Sequence, residues 1–264
     1  MLRLNQRVLE SELMDQPGID PAVHIKALQG IGRVNRISRI DRLLWKRLRT
    51  FQFDRDTPLR ILDLACGGGD VLLKLADRAT REKVPFVFEG ADLSPTAVQY
   101  AQATAELRGL NNIRFFQHDA LHHSLSRKYD VVMSSLFMHH LSNSQAVRLL
   151  ERMAAAATRG ILLDDLIRSP LGYILAWCGV RLLTRSRMVH FDGPISVKAA
   201  YRIAEVRALA GRAGLENIVI DCHWPQRFLL TWRAPDKENG QNSIAGEVFE
   251  SGCLADAMPL PLAS

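Results

Sequence analysis

The chain has 264 residues, 47% of them apolar and 23% charged, with a formal net charge of +6. That length suits one α/β domain with appendages or two small domains, and the apolar share is ample for a core. A membrane-spanning segment is not expected: none approaches the roughly 18 uncharged apolar residues it needs, and the longest apolar run, Leu171 to Leu183, is interrupted by Arg181.

The opening MLRLNQRVLESELMDQ lacks a continuous apolar centre and a small-residue cleavage site, so no secretory signal is read there. Four cysteines, Cys66, Cys178, Cys222 and Cys253, are scattered without a Cys-x-x-Cys pair. Free thiols in a reducing cytoplasm are the expectation. Positive charge is concentrated between Ile31 and Thr50, where Arg33, Arg36, Arg39, Arg42, Lys46, Arg47 and Arg49 face the single acid Asp41. The remainder is balanced, which argues against a broad nucleic-acid-binding face.

Residues 1–56 read as a helical cap. Asp20-Pro21 opens one helix, and Gly30 and Gly32 break the pattern. From Val34 the spacing predicts a helix to Phe51, with Val34, Ile37, Ile40, Leu44, Leu48 and Phe51 on one side and the bases on the other. This helix 34–51 either packs with a solvated basic face or meets an anionic membrane surface or lipid-like substrate.

Residues 60–65 then form a first strand that breaks into Gly67-Gly68-Gly69 and resumes as a helix from Asp70 to Thr80. Glycine has no Cβ, so such a turn lets a ligand approach bare main chain. A dinucleotide site wants Gly-x-Gly-x-x-Gly, but Leu72 stands where the third glycine should be; a structural turn without a ligand is the plain alternative. Strands follow at 85–91, 113–117, 129–134 and 160–164, separated by helices at 95–108, N-capped by Ser94 and ended by Gly109, and at 144–157. This alternation predicts parallel βαβ units in a doubly wound sheet. The rhythm breaks at about 166–198, read as a lid insertion with an apolar helix and a basic turn. A helix over 199–213 and an antiparallel pair at 218–222 and 227–232, turning at Trp224-Pro225, complete seven strands in a domain spanning 57–235. Residues 236–264 read as a flexible tail.

Acids recur at strand ends. Asp92 in GADLSP can accept two hydrogen bonds from ribose hydroxyls, since ligands in such folds sit at the carboxyl ends of strands. Asp119 in QHDAL follows the third strand likewise.

Asp63-x-Ala65-x-Gly67-x-Gly69 resembles motif I of class I S-adenosylmethionine-dependent methyltransferases, with Ala65 in place of the usual first glycine. Asp92, Asp119 and YDVVMSSLFMHHL follow in that family's order, and the likeness covers about residues 57–165. It is nearest the small-molecule branch that includes ubiquinone and menaquinone biosynthesis methyltransferases. The resemblance implies a Rossmann-like α/β fold with S-adenosylmethionine as cofactor. It implies donor contacts from Asp63, Ala65, Cys66, Gly67 and Gly69, from Asp92 and Leu93 at the ribose, from Asp119 and Ala120 at the adenine, and from Ser134 and Ser135 beside the methionine moiety. Beyond Asp165 the chain resembles proteins of that broad type acting on phenolic, quinone or polyketide-derived acceptors.

A phenolic acceptor must lose a proton, where a positioned His or carboxylate helps. Candidates are His139 or His140 after the fourth strand and His190 and Asp192 in the lid, with Asp164 and Asp165 as acceptor contacts. Tyr173 and Trp177 would suit a flat acceptor. Ordinary packing is the alternative for each. His118, His122 and His123 lack a partnered carboxylate constellation, so no metal is expected. The expected partner is a small-molecule acceptor, methylated at oxygen rather than carbon, and no nucleic acid. The rivals are an RNA or protein methyltransferase and a module that binds S-adenosylmethionine without turning it over. Ser134-Ser135-Leu136 in place of an Asn-Pro-Pro-Tyr-type loop counts against the first.

Overall fold

The computed structural model describes residues 4–235 except Pro17, Gln52 and Arg55; Cys253 and the expected tail lie outside the described residues. Strand β1 (Leu59–Leu64) buries Ile61, Leu62 and Leu64 on both faces, as a central parallel strand must. It pairs in parallel with β2 (Phe86–Asp92) and β4 (Tyr129–Ser135). Outward from these lie β3 (Ile113–Gln117) and β5 (Ala157–Leu166), also parallel. β7 (Arg227–Arg233) is antiparallel to both β5 and β6 (Val219–His223). The seven-stranded order is β3-β2-β1-β4-β5-β7-β6. It reverses direction between β1 and β4, and the crevice at such a switch point, outside the carboxyl ends of the strands, is where open α/β sheets bind ligands.

Helices cover both faces. On one lie α1 (Pro21–Ser38), α2 (Ile40–Leu48), α3 (Asp70–Glu82) and α4 (Pro95–Leu107). The core beneath α2, α3 and α4 is built from residues such as Leu44, Leu72, Ala101 and Phe88. On the other lie α5 (Asn143–Ala156) and α8 (Ile203–Arg212), packed over Leu62, Val132, Leu163 and Leu230. Local signals account for the helix starts. Ser94 Oγ accepts from Ala97 N at 3.2 Å, and Ser142 and Gln145 form a reciprocal capping box.

Several expectations for the cap and the lid are corrected. Residues 4–16 are a largely irregular strap with one 3₁₀ turn, Leu13–Asp15, not a helix. Helix α1 runs straight through Gly30 and Gly32. A Cβ at Gly30 would stand 2.8 Å from Thr184 Oγ1, so that glycine permits close packing instead of ending the helix. The expected single helix 34–51 is two, broken at Arg39, whose φ of 55° lies in the left-handed region. The break turns Ile37 out to solvent, while Ile40, Leu44, Leu48 and Phe51 remain buried.

The lid is a pair of helices, α6 (Pro170–Leu183) and α7 (Arg187–Ala199); the stretch HFDGPISV is helical despite Pro194. Burial of Val189, Ile195 and Val197 supplies the packing that overrides propensity there. Helix α8 starts at Ile203, later than expected, because Ala199 still belongs to α7 and Tyr201 bridges to Ile167. Cys66 and Cys178 are free thiols, but Cys222 is disulfide-bonded, against the expectation of free thiols throughout.

Candidate active site

The loop after β1 has Ala65, Gly67 and Gly69 at φ of 56°, 54° and 68°. The demand at position 65 is therefore conformational as well as steric, and alanine meets it at a cost that glycine avoids. A Cβ on Gly69 would lie 2.6 Å from the Phe115 ring, so nothing larger fits. Leu28 of α1 and Tyr100 of α4 pack against Gly68 from outside.

Beneath this loop Asp63 is buried, with Oδ1 unpartnered. Burial, and then the nearby Asp70, Asp92 and Asp164, push its carboxyl well above the usual range. Burial likewise raises the Cys66 thiol. Asp92 Oδ2 accepts from Gly67 N at 2.7 Å and Oδ1 from Ser94 N at 2.9 Å. This fixes the carboxylate at the loop. Leu93 beside it is exposed.

Asp119 accepts from Leu121 N and His122 N, both at 2.9 Å, and meets His122 Nδ1 at 2.9 Å. These bonds stiffen its loop, and the pull of His122 on the carboxylate outweighs burial to lower its pKa. Ala120 packs on the core nearby. Ser134 is buried and donates to Leu64 O at 2.8 Å, whereas Ser135 donates to Asp164 Oδ2 at 2.7 Å. A buried unpartnered carboxylate oxygen, bare glycine backbone and an acid beside the Gly67 amide fit a cationic nucleoside such as S-adenosylmethionine.

Sequence reasoning missed Arg227. It is buried, bonds both oxygens of Asp164, and reaches Ser135 Oγ at 3.2 Å and Asn35 Oδ1 of α1 at 3.0 Å. His223 Nε2 meets Asp164 Oδ1 at 2.8 Å. Although burial works the other way, Arg227 and His223 together hold the Asp164 carboxyl below its ordinary pKa. The network ties the cap helix to the strand ends. The available signal was an arginine heading the apolar run RFLLTW.

Asp164 and Asp165 are consecutive strand residues, so their side chains take opposite faces. Asp165 joins a second constellation. His139 Nδ1 lies 2.6 Å from Asp165 Oδ1, and its Nε2 lies 3.5 Å from Glu12 Oε1. His140 Nε2 is 4.0 Å from Glu12 Oε2, and the two imidazoles sit 4.2 Å apart. Ser196 donates to Glu12. Burial alone would lower His139, but Asp165 and Glu12 outweigh it and raise its pKa to about 10. His139 is therefore an imidazolium at neutral pH and has no lone pair for an acceptor's proton.

Glu12, which the sequence did not single out, arrives on the N-terminal strap. The strap is pinned at four points. Arg168 and Arg202 each donate to Leu4 O at 3.1 Å, and Arg7 Nη2 donates to His139 O at 2.7 Å. Val8 N donates to Lys198 O at 3.2 Å, and Leu13 N donates to Asp192 Oδ1 at 2.8 Å. Asp192 thus anchors the strap, and His190 Nε2 donates to Thr184 O at 2.7 Å within the lid. Tyr173 and Trp177 instead line a groove between α6 and α7, on the lid's own surface. Glu12, His139 and His140 place ligand-type atoms within 4.8 Å of one another, while His122 is taken up by Asp119.

Residues 61–160 match the model of the family described as methyltransferase domain. With the strand order and the loop geometry, this chain carries a class I methyltransferase domain, the family whose methyl donor is S-adenosylmethionine. Demethylmenaquinone methyltransferase of Thermus thermophilus is 42% identical over 79 residues, a match spanning 30% of this chain and 34% of that protein. The chain thus matches about a third of that relative's length. Among solved structures, an O-methyltransferase family 2 protein from Planctomyces limnophilus in complex with apigenin superimposes with a TM-score of 0.59. It is 14% identical, and 83% of this chain and 63% of that one are covered. A SAM-dependent methyltransferase from Aquifex aeolicus gives 0.56 at 15% identity, covering 81% and 98%. These superpositions speak to the fold. Among the described residues no helix is long and apolar enough to cross a membrane.

Proposed function

We propose that this chain transfers the methyl group of S-adenosylmethionine to a small hydrophobic acceptor of phenolic, quinone or polyketide type, at oxygen in preference to carbon. The observation that carries the reading is the His139–His140–Glu12–Asp165 cluster at the strand-end edge that also carries the glycine loop and Asp92. The menaquinone-pathway relative and the apigenin-bound neighbour support a small acceptor.

When bound, S-adenosylmethionine supplies a methyl group on a good sulfonium leaving group. The protein's task is then to position the acceptor and exclude water. Asp63 and Asp92 orient the donor, and the strap closes over the histidines. His140, half-buried beside Glu12, is the group that takes the phenolic proton, while His139 holds a fixed positive charge against the phenolate that forms.

Labelled methyl donor, offered with a panel of phenols, quinols and alkylresorcinol-like compounds, tests this. Label should enter at least one acceptor as an O-methyl group, and Asp92→Ala should weaken donor affinity at least about tenfold. Unchanged affinity removes the ribose assignment. Donor binding without turnover by any acceptor would favour a non-catalytic binding module. No calorimetric heat with donor or demethylated donor ends the proposal. An RNA or protein substrate is disfavoured by Ser134-Ser135-Leu136 where an Asn-Pro-Pro-Tyr-type loop would stand.

A further inference from the structure

Helix α6 buries only Gly172 and Val180 of its fourteen residues. Val180 packs inward against Ala27 of α1 and Val189 of α7. On its outer side Leu171, Ile174 and Leu182 are 52%, 54% and 84% exposed, with Cys178 exposed between them. At 100° per residue these four fall within an arc of about 80°. Trp177, 47% exposed, borders the arc beneath the Arg181 guanidinium, which stands 4.0 Å from its ring centroid. Arg185 in the turn and Arg187 at the start of α7 follow and are exposed, and no acid occurs from Arg168 to Phe191.

We propose that this face of α6 docks the protein on an anionic lipid bilayer, with the leucines and Ile174 entering the acyl boundary, Trp177 at headgroup level and the arginines on lipid phosphates. An apolar stripe edged by tryptophan and arginine is the pattern of a helix lying in a membrane interface. Charge selects this occupant over a second copy of the chain. A symmetric pair would bring the Arg181, Arg185 and Arg187 of both copies to one interface with Glu10 as the one acid lining the same groove, whereas lipid phosphates meet every arginine. Helix α2 cannot play this part, because its apolar side, Ile40, Leu44 and Leu48, is already in the core; its bases add attraction and nothing to insert. A groove of about 420 Å³ between α6 and α7 is lined by Tyr173, Trp177, Phe191 and Ile195 with Arg181 and Lys198, and would take an amphipathic molecule leaving the bilayer. The docking stands independently of methyl transfer.

The test is flotation of the full chain with vesicles of phosphatidylcholine alone and of phosphatidylcholine mixed with phosphatidylglycerol. The chain should float only with the mixed vesicles, and less as salt rises. Ile174→Glu combined with Leu182→Glu, both at exposed positions, should lower partitioning about tenfold or more. Brominated lipids should quench tryptophan emission in the native chain and not in Trp177→Phe. Failure to float, equal flotation of the double variant, or a stable dimer that the double variant dissolves without any lipid contact overturns the proposal. Because the lipid and salt dependence is read on the native chain, a folding defect in a variant leaves the test intact.

Discussion

At Asp63 a carboxyl is buried with one oxygen unpartnered and three other acids nearby, so it holds its proton above the usual carboxylate range. A donor carrying sulfonium and ammonium charges favours the ionised form. Binding should therefore release a proton, and affinity should strengthen as pH rises toward the raised pKa. Calorimetry in buffers of different ionisation enthalpy reads this directly; heats independent of buffer would refute it, and Asp63→Asn should abolish the dependence. His139 makes the complementary case. Its folded pKa of about 10 lies above an unfolded value of about 6.5. Its stabilising contribution is thus complete below about pH 6.5, erodes above it and is gone once pH passes the folded value. Urea melts of the protein and of His139→Gln should converge as pH is raised over that window. A nuclear magnetic resonance titration of its ring showing an inflection near 6.5 would exclude the clamp by Asp165 and Glu12.

Among the elements, β5 and β7 are joined by more than their ladder. Asp164 and Arg227 are both buried and bonded to each other, and Arg227 also carries Asn35 of α1. Removing one member of such a pair leaves the other charge uncompensated. Arg227→Met should then lower stability by about 3 kcal/mol. Adding Asp164→Leu should recover most of the loss, since the desolvated charge disappears as well. Denaturant unfolding of the two variants measures both numbers, and equal destabilisation by the single and double changes would show that Asp164 is held chiefly by His223.

At the scale of the molecule, the donor loop and its acids lie within residues 61–135, with Leu28 of α1 packed on Gly68, whereas the histidine cluster is completed from the far N-terminus by Glu12 and Arg7. A chain lacking residues 1–18 should accordingly keep donor affinity within about threefold, because no described residue of that segment hydrogen-bonds to the loop. It should lose methyl transfer by at least about a hundredfold, the range of a lost acid–base or electrostatic element. Transfer at the native rate by the truncated chain would place the strap outside the site.

The sheet and the helix starts were legible because their signals are local. Apolar runs such as ILDL and FVF, the Gly67–Gly69 turn, Ser94 as a cap, and acids at strand ends act through neighbours a few residues away. The order of those elements also carried the family resemblance. The break at Arg39, the passage of α1 through Gly30, the strap in place of an N-terminal helix, the meeting of Glu12 with His139 and that of Asn35 with Arg227 were decided only in three dimensions. Each depends on contacts between residues far apart in the chain. Whether an arginine in RFLLTW is a surface charge or a buried keystone is set by whether an aspartate on another strand comes to meet it, and no local pattern records that meeting.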